Sequence, residues 1–310
     1  KERFDFYKKK EERLELDLEY FNKITRGGIP SKTLNICLAG TGVGKTMFMT
    51  HIASSVLLQG KNVLYITLEM AEERIAERID ANLLDVTMDD LHAMPKDMYH
   101  DRLKKIQDKT NGTLIIKEYP TASAHSGHFR ALLNELSLKK SFKPEVVFID
   151  YLNICSSSRF KGGNISSYFY IKAIAEELRG LAVEFNVPIF SATQTTRTGF
   201  VSTDIGLEDT SESFGLPATA DLMLAIISTE ELEDLNQIMI KQLKNRYNDP
   251  TMNKRFILGI DRAKMRLYDV EQVAQKDVLD SGQDEPVFDN TGVGKRLGEK
   301  SYEKFSDLKI

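Results

Sequence analysis

Hydrophobic positions fall into short continuous runs separated by longer segments of helical period. "TLNICLAG" (33–40), "NVLYITLE" (62–69), "TLIIKEYP" (113–120), "EVVFIDYLNI" (145–154), "VPIFSATQ" (187–194), "ADLMLAIIS" (220–228) and "NQIMIKQLKN" (236–245) all read as strands. Runs without polar alternation belong to strands covered on both faces, the mark of a parallel sheet with helices on each side. Helical spacing is expected from Lys45 to about Leu58, from about Ala71 to Leu84, and over 168–186. Residues 254–270 alternate and carry a turn at Asp261, which predicts an antiparallel hairpin at the sheet edge. The expected fold is α/β: a doubly wound, mostly parallel sheet with antiparallel edge strands.

The ends differ from this middle. Residues 1–20 hold thirteen charges, with Phe4, Tyr7, Leu14, Leu18 and Phe21 at helical spacing, so a linker helix with a thin apolar stripe is expected there. A solvated arm is the alternative. Residues 276–310 are polar and read as a flexible tail, leaving 21–275 as the core domain. Two Ser/Thr/Gly-rich stretches, 155–167 and 195–215, follow strands and are longer than ordinary connections, which points to function. The first residue is Lys1, so a fragment lacking an N-terminal domain is expected.

Composition narrows the classes. No run of about 18 apolar residues is present, and no basic-then-apolar leader. Cys37 and Cys155 each sit in an apolar run and read as buried thiols of a reducing compartment, so a cytoplasmic location is expected. The net charge is −4, and residues 21–275 carry 30 basic against 31 acidic side chains. That balance excludes a monomeric protein that binds nucleic acid through a basic patch. It leaves open contact with phosphate through backbone amides, which formal charge does not count.

The chemistry is concentrated at strand ends. "AGTGVGKT", Ala39 to Thr46, matches the phosphate-binding pattern G-x-x-x-x-G-K-S/T, with Ala39 at the first glycine. In that pattern the amides of Gly40, Thr41, Gly42, Val43 and Gly44 face phosphate oxygens. Lys45 reaches the β- and γ-phosphates, and Thr46 offers its hydroxyl to Mg²⁺. A Gly-rich turn that binds nothing is the bland alternative. "VVFID" places Asp150 at a strand's end beside that loop, as a Mg²⁺-shell carboxylate or as a cap of the next turn. Glu69 in "TLEM" ends the strand after the P-loop helix and is the candidate base for an attacking water; a first-turn helix residue is the alternative. Gln194 in "SATQTTRT" ends another strand at the same edge and is placed to sense a γ-phosphate, or is simply a loop residue. Lys244 and Arg246 in "KQLKNRYNDP" share one side of a strand end with no obvious local carboxylate. They suggest cations that act on a neighbour's nucleotide, and spacing alone equally admits a solvated strand end.

Together, "AGTGVGKT", "YITLEM", "VVFIDYLNI", "FSATQTTR" and "ESFGLPATADLM", with the lead-in "TRGGIPSKTLNIC", resemble in content and order the C-terminal ATPase domain of DnaB-type, superfamily 4 hexameric replicative helicases. The similarity is greatest to those of T4-like bacteriophages and covers about Phe21 to Val270. It implies a RecA-like fold, ATP and Mg²⁺, a homo-hexamer on single-stranded DNA, and primase and helicase-loader partners. It implies that Glu69 is catalytic, that Gln194 senses the γ-phosphate and that Lys244 and Arg246 act in trans. The two long stretches would be DNA-facing loops, with Arg159, Lys161, Arg197, Glu212, Ser213 and Gly215 as candidate contacts. Ser211 stands where the family has Arg. The family's N-terminal collar domain is absent from these residues. The rival readings are a RecA-like recombinase filament and a nucleotide-switch module; no Asn-Lys-x-Asp guanine motif is present.

Overall fold

The computed structural model describes residues 12–160, 165–195, 205–207 and 215–271. The chain divides into two units, 1–270 and 271–310, and of the second only Glu271 is among the described residues.

The apolar runs form strands with trimmed ends: β3 Leu34–Ala39, β4 Val63–Thr67, β5 Leu114–Glu118, β6 Val146–Asp150, β7 Ile189–Gln194, β8 Leu222–Ile227 and β9 Gln237–Asn245. The expected hairpin is β10 Arg255–Asp261 and β11 Arg266–Asp269. Among the described residues these make one sheet in the order β11-β10-β9-β8-β3-β7-β6-β4-β5. From β8 to β5 every pairing is parallel, and β9 to β11 add antiparallel strands at one edge. Every residue of β3, β4, β6 and β8 is buried, as two-sided cover requires, whereas edge strand β5 is only half covered. Tyr65, Phe148 and Phe190, cross-strand neighbours on β4, β6 and β7, stack as a row of rings 5.5 and 5.4 Å apart. Cys37 and Cys155 are free and buried, and burial pushes the Cys37 thiol up to about 12.

The register sets the functional edge. Ala39 pairs with Gln194 and Thr67 with Asp150, so β3 ends level with β7 and β4 with β6; the first pair runs two residues further at the same edge. The chain leaves the sheet after Asp150 into a short 3₁₀ turn, Leu152–Ile154, instead of continuing as strand to 154.

Three helices match their periodicity: α2 Lys45–Leu58, α3 Glu72–Leu84 and α7 Ser167–Phe185. Helices α4 Met88–Ala93, α5 Lys96–Gln107 and α6 Ser126–Lys140 were not expected. Phe129, Leu133 and Leu136 of α6 are buried at spacings of four and three, so that helix had a readable signal. Helix α5 buries none of its residues and had little. Short helices α8 Gly215–Thr219 and α9 Glu230–Asp234 flank β8.

The N-terminal segment corrects the expected linker helix. Residues 1–11 lie outside the described residues, and residues 12–18 are not helical. Strand β1, Arg13–Leu14, pairs antiparallel with β2, Ile29–Pro30, and only Glu19–Ile24 is helical (α1). Leu14, Leu16 and Leu18 are all buried, a period of two that competes with the helical spacing of Leu14, Leu18 and Phe21. Gly28, with φ of +125°, lets the two strands meet; a Cβ there would stand 2.5 Å from the Leu14 carbonyl oxygen.

Candidate functional site

The loop between β3 and α2 turns on two glycines at positive φ, Gly42 at +79° and Gly44 at +125°. Neither has a neighbour within 3.4 Å of a would-be Cβ, so the requirement there is backbone conformation and not space. Gly44 caps α2 without a side-chain bond, so the first-turn N–H groups of that helix face the site. Lys45 is buried, and its Nζ donates to the carbonyls of Gly40 (3.0 Å) and Ala39 (3.4 Å). Burial pulls its pKa down, against the attraction of Glu69 and Asp150 among others.

Asp150 is fully buried at the end of β6, and burial pushes its pKa up to about 6. Tyr65 donates its hydroxyl to Oδ2 at 3.0 Å, and the Thr46 hydroxyl is near enough to favour the charged form. Oδ1 nonetheless has no hydrogen bond of full geometry. A buried, unpaired carboxylate oxygen beside a threonine hydroxyl fits the outer shell of a hard cation such as Mg²⁺.

Glu69 sits in a bend just past β4 and is fastened on both sides. Thr67 Oγ1 accepts from the Met70 N–H and donates to its carbonyl; Leu68 N donates to Asp150 O at 2.8 Å; Thr121 Oγ1 donates to Leu68 O at 2.7 Å. The carboxylate itself stays exposed. At the end of β7, Gln194 Nε2 donates to the Tyr151 hydroxyl at 3.0 Å, and the Tyr151 ring lies 6.0 Å from Lys45 Nζ. Thr41, Gly42, Gly44, Lys45, Thr46, Glu69 and Gln194 line one cavity of about 350 Å³, with Asp150 beneath its floor. Four further residues of that wall were missed: Met47, next to Thr46 in the first turn of α2, Arg78 from α3, and Arg262 and Met265 from the β10–β11 turn. The last three reach it by tertiary packing and belong to no motif read above.

Lys244 and Arg246 are elsewhere. Met223 pairs with Lys244, Arg246 N donates to Asp221 O, and Asp221 N donates to Leu34 O, all at the N-terminal ends of β8 and β3. The P-loop leaves the other end of β3, five residues and about 17 Å away at roughly 3.3 Å per residue. Both cations turn toward α8: Lys244 Nζ donates to the carbonyls of Pro217 and Ala218, and Arg246 Nη2 to Ala218 O at 3.1 Å. The expectation that no carboxylate is near is corrected. Arg246 Nη1 is 2.9 Å from Asp221 Oδ1, a carboxylate shared with Arg179.

Of the candidate DNA contacts, Lys161, Arg197, Glu212 and Ser213 lie outside the described residues. Arg159 is half exposed, with its guanidinium on Glu176. Its loop is held at the base by buried Glu177, which accepts from Ser157 Oγ (2.6 Å), Ser126 Oγ (2.8 Å) and Ser158 N (2.9 Å). Gly215 starts α8 against Lys172, whose Cβ would be 2.8 Å from an added methyl.

The profile of the DnaB-like helicase C-terminal domain family matches residues 14–256. A DnaB-like replicative helicase of Enterobacteria phage T4 is 45% identical over 270 residues, 86% of this chain and 57% of the relative. A probable plasmid replicative DNA helicase of Chlamydia psittaci is 30% identical over 68% of this chain and 46% of its own length. The chain thus spans about half the length of these curated relatives. Among solved structures, the ATPase domain of G40P superposes with a TM-score of 0.70 at 17% identity, covering 87% of this chain and 96% of that one. A structure of a DnaB-like replicative helicase and its interactions with primase gives 0.69 at 17% identity, covering 87% and 65%. Sheet order, phosphate loop and sequence agree, and the chain belongs to the family of DnaB-like helicase C-terminal domains.

Proposed function

We propose that this chain is the ATP-hydrolysing motor of a replicative DNA helicase, acting as a homo-hexameric ring that moves on single-stranded DNA and separates duplex at the fork. The observation that carries the ring reading is the separation of the two charged clusters. The phosphate loop and Glu69 stand at one edge of the sheet, and Lys244 and Arg246 at the other, so one subunit's cations cannot reach its own nucleotide. A neighbour's can, and a closed ring gives every subunit one.

Each residue then has a task. Lys45 and the α2 N-terminus hold the β- and γ-phosphates. Thr46 and Asp150 hold the shell of Mg²⁺, which when bound neutralises charge developing on the phosphates. Glu69, fixed by the Thr67 and Leu68 bonds, orients and deprotonates the attacking water. Gln194 contacts the γ-phosphate and passes its presence to residues 195–215, which begin where β7 ends. Arg246 and Lys244 of the adjacent subunit stabilise the leaving and transferring charge. The loops carrying Arg159, Lys161 and Arg197, and Glu212, Ser213 and Gly215, face the DNA. Primase and a helicase loader are the expected partners, in the cytoplasm of the host if a phage encodes the chain. No helix of the described residues is long and apolar enough to cross a membrane.

The test is an unwinding assay on a forked duplex with the full-length protein, with and without ATP. Strand separation only with hydrolysable nucleotide is expected; no separation overturns the proposal.

A further inference from the structure

Asp221 belongs to none of the motifs above, yet it is the most heavily bonded carboxylate at the far edge of the sheet. Its side chain is 5% exposed and accepts four hydrogen bonds from three elements distant in sequence. Leu34 N at the start of β3 donates at 3.0 Å. Arg179 of α7 donates through Nε at 3.0 Å and Nη2 at 3.1 Å. Arg246, just past β9, donates through Nη1 at 2.9 Å. A surface ion pair adds little, but these oxygens are withdrawn from water and depend on their donors.

Two guanidinium groups on one carboxylate leave a net positive charge of one. Arg246 is held at one end by Asp221 and at the other by Ala218 O, while about half of its side chain remains open to solvent. It lines a cavity of about 410 Å³ with Glu176, Arg179, Val183 and Thr219. A long arginine loses rotamer freedom whenever it must act at a defined point. Where that loss is incurred in the fold, the cation is ready before the transition state forms. The bond to Leu34 also ties this arrangement to the first residue of β3, whose last residue carries the phosphate loop.

We propose that Asp221 is a positioning residue: with Arg179 it presets Arg246 for service in the neighbouring subunit's nucleotide site, without itself touching nucleotide. The proposal rests on the reading that Arg246 acts in trans.

The experiment uses the full chain with saturating single-stranded DNA and measures ATP hydrolysis. Asp221→Asn keeps an oxygen for Leu34 but lacks the charge. It should lower kcat roughly tenfold or more, a part of the 10³-fold or greater effect of an arginine finger, and leave KM for ATP within about twofold. Asp221→Glu keeps the charge but shifts it by one methylene, and should give the same split if the Asn variant does not fold. Each is then mixed with Glu69→Gln subunits. In such rings some junctions pair an intact Glu69 from the Asp221 variant with an intact, well-placed Arg246 from its partner. Recovery of hydrolysis above both parent proteins is the expected result. A carboxylate acting only through β3 on its own phosphate loop would give no recovery. A parallel mixture of Arg246→Ala with Glu69→Gln calibrates the response. Recovery there, without recovery for Asp221, overturns the positioning role alone. No recovery in either mixture overturns the trans reading and this proposal with it.

Discussion

At the C-terminal end of β3 stand the phosphate loop, Asp150, Glu69 and Gln194, in a cavity built from strand ends and the start of α2. At its N-terminal end stand Arg179, Lys244 and Arg246 around the single carboxylate of Asp221. The first cluster has backbone donors and one buried lysine for phosphate, and it has the carboxylates for a cation and a water. Its wall also carries Arg78 and Arg262, from α3 and the β10–β11 turn, but on the proposed reading the charge that builds in the transition state is met by a pair of cations from the neighbouring subunit. The second offers that pair and no phosphate loop. On the proposed reading neither cluster is a whole site, and about 17 Å of strand keeps them apart within one subunit. The difference teaches that residues 21–275, nearly neutral with 30 basic and 31 acidic side chains, still gather distinct charged clusters at opposite edges of the sheet.

The sharpest way to break this comparison is to remove the far-edge cation. Arg246→Ala should lower kcat by about 10³-fold or more while nucleotide affinity stays nearly intact, since the phosphate loop is untouched. Turnover and analogue binding, measured on the same preparation, check it. Equal losses of affinity and turnover would mean that Arg246 supports the fold of its own subunit instead.

Next in size is the near-edge carboxylate. Glu69→Gln keeps the bend held by Thr67, Leu68 and Thr121, because those bonds involve neighbouring backbone and not the Glu69 side chain. Hydrolysis should fall by about 10²- to 10⁴-fold, the usual worth of a positioned base, with ATP and DNA binding retained. Normal hydrolysis by this variant would remove Glu69 from the role of base.

These residues were legible because the physics that marks them is local. Gly42 and Gly44 need positive φ, Lys45 follows within one turn, and continuous apolar runs fixed which residues sit at strand ends. Glu69 and Gln194 were placed by the ends of their apolar runs, and the roles proposed for them came from the family resemblance. Asp221 was not legible: its arginines lie 42 and 25 residues away, and pairing at that distance leaves no pattern. Arg78, Arg262 and Met265 escaped for the same reason. The N-terminal segment misled because Leu14 and Leu18 belong both to a period of two with Leu16 and to a helical spacing with Phe21, and strand β2, ahead in the chain, decides between them.

The smallest effect expected separates the motor edges from the loop base they flank. Glu177 is buried, and its carboxyl is held below its ordinary range: burial raises its pKa, but bonds from Ser157, Ser158 and Ser126 outweigh that. A folded-state value below the unfolded one means its stabilisation is present above the ordinary value of 4.5 and is lost as pH falls through the lower folded one. Glu177→Gln leaves at least one serine donor facing an amide N–H₂ and should destabilise the fold by about 1–3 kcal/mol. Thermal melts at pH 7 and pH 4 check both points. The variant should melt below the parent protein at pH 7, and the gap should begin to shrink below the ordinary value of 4.5, where the carboxyl of the unfolded parent takes up a proton before the folded one does. A gap that holds constant between the two would show that the three donors respond to shape at residue 177 and not to its charge. ATP affinity should be unchanged throughout, because Ser126, Ser157 and Ser158 lie outside the phosphate cavity.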